Sequence, residues 1–224
     1  MDIEKFNLIK QKYGHVASWA IWKEQGNHPP RFNMGDLSVL DPQQNTDLLS
    51  QLKPDVVFVG LNPSRFDVYA EPFSNFHSNY RYAQDYKIRN ATINTKLWGG
   101  YMTDIIKDHV ELQGQTVRRY LNENPDVEDK NIEIFRNELK DLGTETPTII
   151  AFGGEVYRIL TRNLNNEFNI FQVTHYAHFI NQQIYREEFE SLIERIQINS
   201  EIKKDSSEVL KSYKEKNVIS EEKT

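Results

Sequence analysis

The sequence predicts an α/β domain, a three-layer α/β/α sandwich built on a short sheet of four parallel strands. Four short runs are rich in β-branched and aromatic residues, and the first and third of them lie between a proline and a glycine, which is typical of strands buried in a sheet. Segments with helical spacing lie between these runs, and alternating strands and helices favour a parallel sheet covered on both faces. The predicted strands are Asp55–Val59, Tyr101–Ile106, Thr148–Phe152 and Phe168–Val173.

The predicted helices follow from the spacing of apolar residues and from stop signals. The first is an amphipathic helix over residues 6–22, closed by Gly26 and two prolines. Residues 60–97 show no clear periodicity, and a long irregular segment in a compact domain is usually functional or flexible. The other predicted helices cover residues 47–52, 129–142, 155–164 and 184–198, and residues 107–128 form a polar helix or an excursion.

The chain divides into three predicted parts. Residues 1–53 form a helical and loop segment packed on the domain, residues 54–198 form the α/β domain, and residues 199–224 form a charged tail. The last 24 residues hold six lysines and six acidic residues, so the net charge of −6 lies in residues 1–200. A weak amphipathic helix and a frayed end both remain open for the tail.

The composition limits the classes of function. With 224 residues, of which 38% are hydrophobic, the chain can build a full core. Because it has no cysteine, a disulfide scaffold, a thiolate metal site and a cysteine nucleophile are excluded. A net charge of −6 gives no overall basic footprint for nucleic acid, although a local basic cleft stays open. Without a signal peptide or a long apolar run, we expect a cytoplasmic protein with no membrane partner, and a monomer is favoured.

Polar and glycine residues gather where the predicted strands end. Gly60-Leu61-Asn62-Pro63-Ser64 follows the first strand, Asp104 lies in the second, and Gly153-Gly154 follows the third. The segment from Thr174 to Phe179, which contains His175, follows the fourth. Because open parallel sheets bind ligands beyond the carboxyl ends of their strands, we expect these residues to share one crevice.

This set of motifs resembles the uracil-DNA glycosylase superfamily. Val57–Ser64 looks like the strand and Gly-x-Asn-Pro motif of the mismatch-specific uracil/thymine branch, and Tyr101–Lys107 is similar to the Tyr-x-Thr-Asn-x-x-Lys strand of another branch. Ala151–Gly154 matches the third strand and its glycine turn, and Val173–Phe179 stands where the family has His-Pro-Ser-Pro-Leu. The similarity runs from about residue 54 to 197, in order. It implies a glycosylase-like fold and hydrolysis of an N-glycosidic bond without metal or cofactor.

The resemblance also implies roles for individual residues. Asn62 would orient the attacking water, and His175 would donate a hydrogen bond to the base as it leaves as an anion. Phe179 would be the wedge that fills the gap left by a flipped base. Phe73 would stack on the base, with Phe76, His77 and Tyr80 as competitors. The remaining expected contacts with the base are Gly60, Leu61, Ser64, Asp104 and Gly153.

Two positions depart from the family pattern. Tyr176 and Ala177 replace the Pro and Ser that shape the loop against the DNA backbone. Asp104 stands where the family has an Asn, and an ionised carboxylate only accepts hydrogen bonds, whereas uracil presents two carbonyls and one N–H. Asp104 therefore fits a base edge with two donors, or a protonated carboxyl in a dry pocket. A third interpretation is an N-cap of a helix beginning near Ile105.

Local basic residues are the candidates for phosphate contacts. Aromatic and cationic residues interleave over residues 79–90, and Arg118-Arg119 add a second pair, although the acidic total charge favours a solvated surface for both. The predicted DNA contacts are Arg81, Lys87, Arg89 and Phe179. The six histidines are scattered, so no metal site is expected.

Three functions are compatible with these residues. The leading one is a DNA glycosylase-like hydrolase that removes a damaged or mismatched, uracil-like base. The second keeps the same chemistry on a free nucleoside or nucleotide. The third is a non-catalytic member of the superfamily that binds a nucleic acid or a protein.

Overall fold

The computed structural model describes the backbone of residues 1–64 and 71–221, and the side chains of these residues up to residue 201. It confirms an α/β architecture, in which helices pack against a mixed five-stranded sheet. The strands are β1 (Ser18–Trp19), β2 (Lys53–Gly60), β3 (Gly100–Asp104), β4 (Thr148–Phe152) and β5 (Asn169–Val173). The helices are α1 (Ile3–Tyr13), α2 (Leu48–Gln51), α3 (Tyr86–Thr92), α4 (Gly114–Glu123), α5 (Pro125–Leu142), α6 (Gly154–Leu164) and α7 (Gln182–Glu221).

The strand order is β1-β3-β2-β4-β5. Strands β2, β3, β4 and β5 run parallel to one another, and β1 pairs antiparallel with β3 at the edge. From β2 the chain proceeds outward to β3 and then returns to the other side of β2 to form β4. Open α/β sheets bind ligands at such a reversal, beyond the carboxyl ends of the strands. The topology therefore predicts a ligand-binding site at the carboxyl ends of β2, β3 and β4.

Two hydrophobic cores, one on each face of the sheet, hold the layers together. Alternate residues of a strand point to opposite faces. Val57 accordingly packs in a core shared with α1, α5 and α6, whereas its neighbour Phe58 packs in a second core shared with α3 and α7. Phe58 stacks on Phe152 of β4 at 5.6 Å between ring centroids, and lies 6.2 Å from Phe189 of α7. The central strands are thus buried on both faces.

The prediction for the N-terminal region is wrong in one respect. Helix α1 ends at Tyr13, and the chain then forms the edge strand β1 instead of continuing to residue 22. Residues 16–22 are all buried, so their apolar run satisfies helical spacing and strand pairing equally well. The sheet consequently has a fifth strand that the sequence did not predict.

Other boundaries differ less. Helix α3 lies inside the segment for which no element was predicted, and α5 begins at Pro125, a residue that suits the first turn of a helix. Helix α7 continues through the predicted tail to Glu221, although the tail's side chains beyond residue 201 and residues 222–224 lie outside the described part. Among the helices described, none has both the length and the apolar character that a membrane crossing requires.

Candidate functional site

The ends of β2 and β3 bring Gly60 and Asp104 together. The two residues are partners in the parallel ladder. A Cβ atom added to Gly60 would collide with Oδ1 of Asp104 and would lie 3.4 Å from the ring of Phe76. Glycine is therefore required here, because the carboxyl group occupies the space that any side chain would need. Gly60, Asp104 and Phe76 form the floor of the candidate crevice.

Asp104 is a buried carboxyl group with one oxygen already engaged. Asn75 donates from Nδ2 to Oδ2 of Asp104 at 2.8 Å and also to the carbonyl oxygen of Val16 at 2.7 Å. Burial raises the pKa of Asp104 to about 7, against the lowering effects of the Asn75 hydrogen bond and of nearby Lys107. Because Asn75 donates to Oδ2, and a carbonyl oxygen accepts better than a hydroxyl oxygen, this hydrogen bond favours the proton of the neutral carboxyl on Oδ1, the oxygen over Gly60. This supports the interpretation of a protonated carboxyl in a dry pocket.

The N-cap interpretation of Asp104 is wrong. No helix begins near Ile105, since the chain continues irregularly from β3 to α4 at Gly114. The amide groups of Ile105 and Ile106 instead donate to the carbonyl oxygens of Gly60 and Leu61, both at 2.9 Å. These bonds extend the pairing of the two strands past Asp104 and fix its position.

A buried ion pair supports the strand behind Asp104. Lys107 Nζ lies 2.6 Å from Glu138 of α5, and both side chains are almost fully buried. The same ammonium group donates to Thr103 Oγ1 at 2.8 Å and to the carbonyl oxygen of Asp104 at 2.9 Å. Glu138 also accepts from the Tyr101 hydroxyl at 2.6 Å. Lys107, the second charged residue of the Tyr101–Lys107 motif, therefore holds β3 against α5.

His175 is placed beside Gly153 at the ends of β5 and β4. A Cβ atom on Gly153, whose φ is 91°, would lie 3.3 Å from the Cβ of His175. The backbone amide of Ala177 donates to Nδ1 of His175 at 3.1 Å. Burial, with a smaller effect of His178, lowers the pKa of His175 to about 4. The ring is therefore neutral at pH 7 and carries its proton on Nε2, where it is available as a donor.

Two aromatic rings connect the halves of the crevice. The ring of Tyr176 stacks on His175 at 4.5 Å, and it meets Phe76 edge-on at 6.3 Å. Tyr176 also contacts Phe152 at the end of β4, at 5.3 Å between centroids. The ring of Tyr176 thus lies between the histidine and the floor of the crevice.

Phe73 does not join this arrangement. It packs against Phe6 of α1 at 5.5 Å between centroids, and its carbonyl oxygen accepts from Ser18 Oγ at 2.8 Å. Phe76, one of the competitors for the stacking role, lies in the crevice instead. His77, another competitor, is buried between Trp22, at 4.9 Å between centroids, and the carbonyl oxygen of Trp19.

Asn62 holds a neighbouring loop through its amide nitrogen. Nδ2 lies 3.0 Å from the carbonyl oxygen of His109 and 2.8 Å from that of Glu111. Among the residues that the structure describes, Oδ1 of Asn62 accepts no hydrogen bond. The side chain therefore has a structural contact through Nδ2, and its Oδ1 accepts from none of the residues described. Leu61 is partly buried against the first core, and Ser64 is exposed.

The loop after β5 presents Phe179 to solvent. The amides of His178 and Ile180 donate to the carbonyl oxygens of His175 and His178, both at 2.8 Å, and form a tight turn. Phe179 is fully exposed at this turn. Lys87 of α3 is buried, and its Nζ donates to the carbonyl oxygen of His178 at 3.0 Å. Lys87 therefore anchors the loop instead of facing outward.

The three predicted basic contacts differ in their surroundings. The Arg89 guanidinium is buried and donates to the carbonyl oxygens of Lys23, Pro30 and Phe32 at 3.0, 2.6 and 2.9 Å. Arg89 thus fastens the segment that precedes β2, and neither it nor Lys87 is available to a phosphate. Arg81 is exposed, and its guanidinium lies 4.5 Å above the ring of Tyr82.

The sequence did not identify Asn75 and Tyr176 as site residues. Asn75 orients Asp104, but nothing in its local pattern indicates a partner 29 residues away. Tyr176 adjoins a predicted catalytic residue, and the replacement of a proline by a large ring was a usable signal. Among the described residues, no cluster of three metal-ligating side chains is found.

Two cavities lie at the opposite end of the sheet from the crevice. One, of about 900 Å³, is lined by Lys53 at the start of β2 and by Trp22 and Trp98. The other, of about 300 Å³, is lined by Asn169 at the start of β5 and by Phe168.

Comparisons with protein-family models, with curated proteins and with solved structures find no match to this chain. The relationship to the uracil-DNA glycosylases therefore stays a prediction from the four motifs.

Proposed function

We propose that the chain is a hydrolase of the uracil-DNA glycosylase type, which cleaves the N-glycosidic bond of a base flipped out of DNA. The observation that carries this proposal is the pairing of a neutral histidine with a buried carboxyl group in one crevice. His175 and Asp104 are linked there through the rings of Tyr176 and Phe76. The four parallel strands around the crevice are compatible with a glycosylase-like three-layer sandwich.

The chemistry of base release suits these groups. Cleavage of the bond leaves negative charge on the base and positive charge on the sugar. A neutral imidazole with its proton on Nε2 donates a hydrogen bond to an oxygen of the departing base without giving up a proton. Oδ1 of Asn62, to which no described residue donates, accepts a hydrogen bond from a water and orients it for attack on the sugar carbon.

Asp104 supplies the contact that selects the base. In its protonated form it donates from Oδ1 to a carbonyl oxygen, and in its ionised form it accepts from an N–H group. A pKa of about 7 makes both forms available near neutral pH. A uracil-like carbonyl edge is therefore recognised by the protonated form.

Phe179 fits the insertion of a wedge into DNA. Its ring is fully exposed on a tight turn and is therefore accessible to a partner. An inserted ring fills the gap that a flipped base leaves. Because Lys87 fixes the carbonyl group of the preceding residue, the turn is held in place before DNA arrives.

Two observations favour the alternatives. Lys87 and Arg89 are buried, which leaves fewer phosphate contacts than the sequence predicted and favours a free nucleoside or nucleotide as substrate. The contacts of Asn62 with the 109–111 loop favour a structural role, and hence a non-catalytic binding protein.

One assay separates the three functions. The protein is incubated with labelled DNA that carries uracil, a thymine mismatch, hypoxanthine or an alkylated base, in single and double strands, and abasic sites are scored by alkaline cleavage. Free deoxynucleosides are tested in parallel by chromatography of the released base. We expect release from DNA, with a loss of roughly 100-fold or more in His175→Phe, which keeps a ring on Tyr176 but removes the donor. Release only from free nucleosides supports the second function, and release from neither refutes hydrolysis.

A further inference from the structure

A group of exposed aromatic side chains lies on the segments that flank α3. Tyr82, Tyr80 and Phe32 expose 60%, 44% and 40% of their surface. Arg31 and Arg81 accompany these rings, and we call the five residues the aromatic patch. Single exposed rings are common on protein surfaces, but a cluster of them indicates an interaction site.

The two segments that form the aromatic patch are in direct contact. Arg31 donates from Nε to the carbonyl oxygen of Ala83 at 3.1 Å, and its guanidinium lies 4.7 Å from the centroid of the Tyr86 ring. A Cβ atom on Gly35 would lie 3.0 Å from the Cβ of Asn79. Residues 31–35 and 79–86 therefore form one continuous surface.

The rings of the aromatic patch are ordered by their neighbours. Tyr80 and Tyr82 meet edge-on at 5.4 Å, and Phe32 stacks on His28 at 3.9 Å. The guanidinium of Arg81 lies over Tyr82, and neither Arg31 nor Arg81 forms an ion pair with a described residue. The aromatic patch thus combines π-faces with two cations that form no ion pair within the described part of the chain.

The aromatic patch adjoins the proposed catalytic crevice. Residues 80–83 lead directly into α3, and Lys87, in the first turn of that helix, contacts the carbonyl oxygen of His178. Phe179 follows that residue and is fully exposed. A chain that passes over Phe179 can therefore continue across the first turn of α3 onto the patch.

We propose that the aromatic patch binds single-stranded DNA beside the crevice, by stacking unpaired bases on its rings and placing phosphates near Arg31 and Arg81. This inference rests on the proposed function, and it makes an unpaired strand the preferred form of the substrate. Unpaired bases offer free π-faces for stacking, whereas bases in a duplex already stack on one another. The cations suit phosphates better than a neutral or basic protein partner.

The test measures binding separately from base release. Fluorescence anisotropy follows the binding of a labelled oligothymidylate and of a duplex of equal length, and abasic sites are scored in the same samples with a uracil strand. We expect tighter binding of the single strand and a loss of roughly fivefold or more in Tyr82→Ala, with Tyr82→Phe close to wild type. Ile198→Ala, which truncates an exposed apolar side chain elsewhere, is the matched control.

The salt dependence of single-strand binding tests whether Arg31 and Arg81 contact phosphates. With two phosphates neutralised, the logarithm of affinity should fall against the logarithm of salt concentration with a slope of about −1.4, and Arg81→Ala should reduce this slope by about 0.7. Lys140→Ala, which removes an exposed charge from the last turn of α5, is the matched control for a lost surface charge.

The outcomes distinguish the two proposals. Single-strand binding that depends on Tyr82, without base release from any DNA, supports DNA binding by the aromatic patch and refutes the proposed hydrolysis. Base release with equal binding of single and double strands, or with no effect of a folded Tyr82→Ala variant, refutes DNA binding by the patch and leaves the proposed hydrolysis intact. Absence of single-strand binding by the folded wild-type protein also refutes DNA binding by the aromatic patch. This is the outcome expected if the rings bind a protein instead.

Discussion

Replacing Asp104 with asparagine should change how both stability and base release depend on pH. The wild-type carboxyl is buried and has a pKa of about 7 in the folded protein, against 3.8 as its ordinary value. The folded state therefore holds a proton that the unfolded state loses between these values. Asparagine keeps the size of the side chain and the hydrogen bond from Asn75, but it does not titrate.

The size of the effect on stability follows from the two pKa values. Their difference corresponds to about 4 kcal/mol, since one pKa unit is about 1.4 kcal/mol. Because the folded-state pKa is raised, this stabilisation is present below pH 3.8 and is lost as the pH rises through about 7. Asp104→Asn should therefore gain about 4 kcal/mol relative to wild type between pH 4 and pH 9.

The effect on activity has the same origin. At about pH 9 only about 1% of the Asp104 carboxyl groups are protonated, so release of a carbonyl-edged base such as uracil should fall about 100-fold from its value at pH 5. The Asn variant should show no such decline around pH 7, because its amide offers a donor at every pH.

Single-turnover release of uracil from a labelled strand, measured from pH 5 to 9, provides the assay, and urea unfolding at the same pH values provides the stability. Asp108→Asn, which changes an exposed carboxyl in the following loop, is the control and should match wild type. Superimposable pH profiles for wild type and Asp104→Asn, in either measurement, would refute the assignment of a dry, protonated carboxyl.

Two further predictions concern stability. Glu138→Gln should lower the free energy of unfolding in urea by about 3–5 kcal/mol, because it leaves the buried Lys107 ammonium without its counter-charge. Asp126→Asn breaks an exposed pair with Lys130 and should cost under about 1 kcal/mol. Equal losses in the two variants would contradict the buried network. His77 is buried, and burial lowers its pKa to about 4, so its stabilisation is present above pH 6.5 and lost as the pH falls towards 4. Titration of His77 should therefore account for about 3 kcal/mol of the stability that the wild-type protein loses between pH 6.5 and 4, and His77→Gln should not show this part of the loss. If the melting temperature of the variant falls with decreasing pH as steeply as that of wild type, the role of His77 is contradicted.

Local pattern was sufficient to predict the central strands. Thr148–Phe152 is a run of apolar and β-branched residues between a proline and a glycine pair, and the structure confirms its bounds. The same pattern placed Asp104 within the second strand, which the structure ends at Asp104, and placed His175 just after the fourth. Edge strand β1 was not predicted, because a buried two-residue strand owes its form to its pairing with Tyr101 and Met102 and not to its own sequence.

The surroundings of charged residues depend on distant partners and could not be predicted. Arg89 belongs to a pattern typical of a basic surface, but it is buried because carbonyl groups more than 50 residues away accept its hydrogen bonds. Phe73 matches the family spacing better than Phe76, yet the φ angles of 68° and 64° in this loop turn Phe73 toward α1 and Phe76 toward Gly60. Spacing alone does not determine which face of an irregular segment a ring occupies.

The most direct test of the proposed hydrolysis is single-turnover base release by wild type and Asn62→Ala from a single strand that carries one uracil. We expect release by wild type and a loss of at least roughly tenfold in the variant, about 1.4 kcal/mol of barrier, with the fold checked by circular dichroism. Equal release by the two proteins would contradict the role of Asn62 in orienting water, and no release by wild type from this or any other base in the panel would contradict the hydrolase itself.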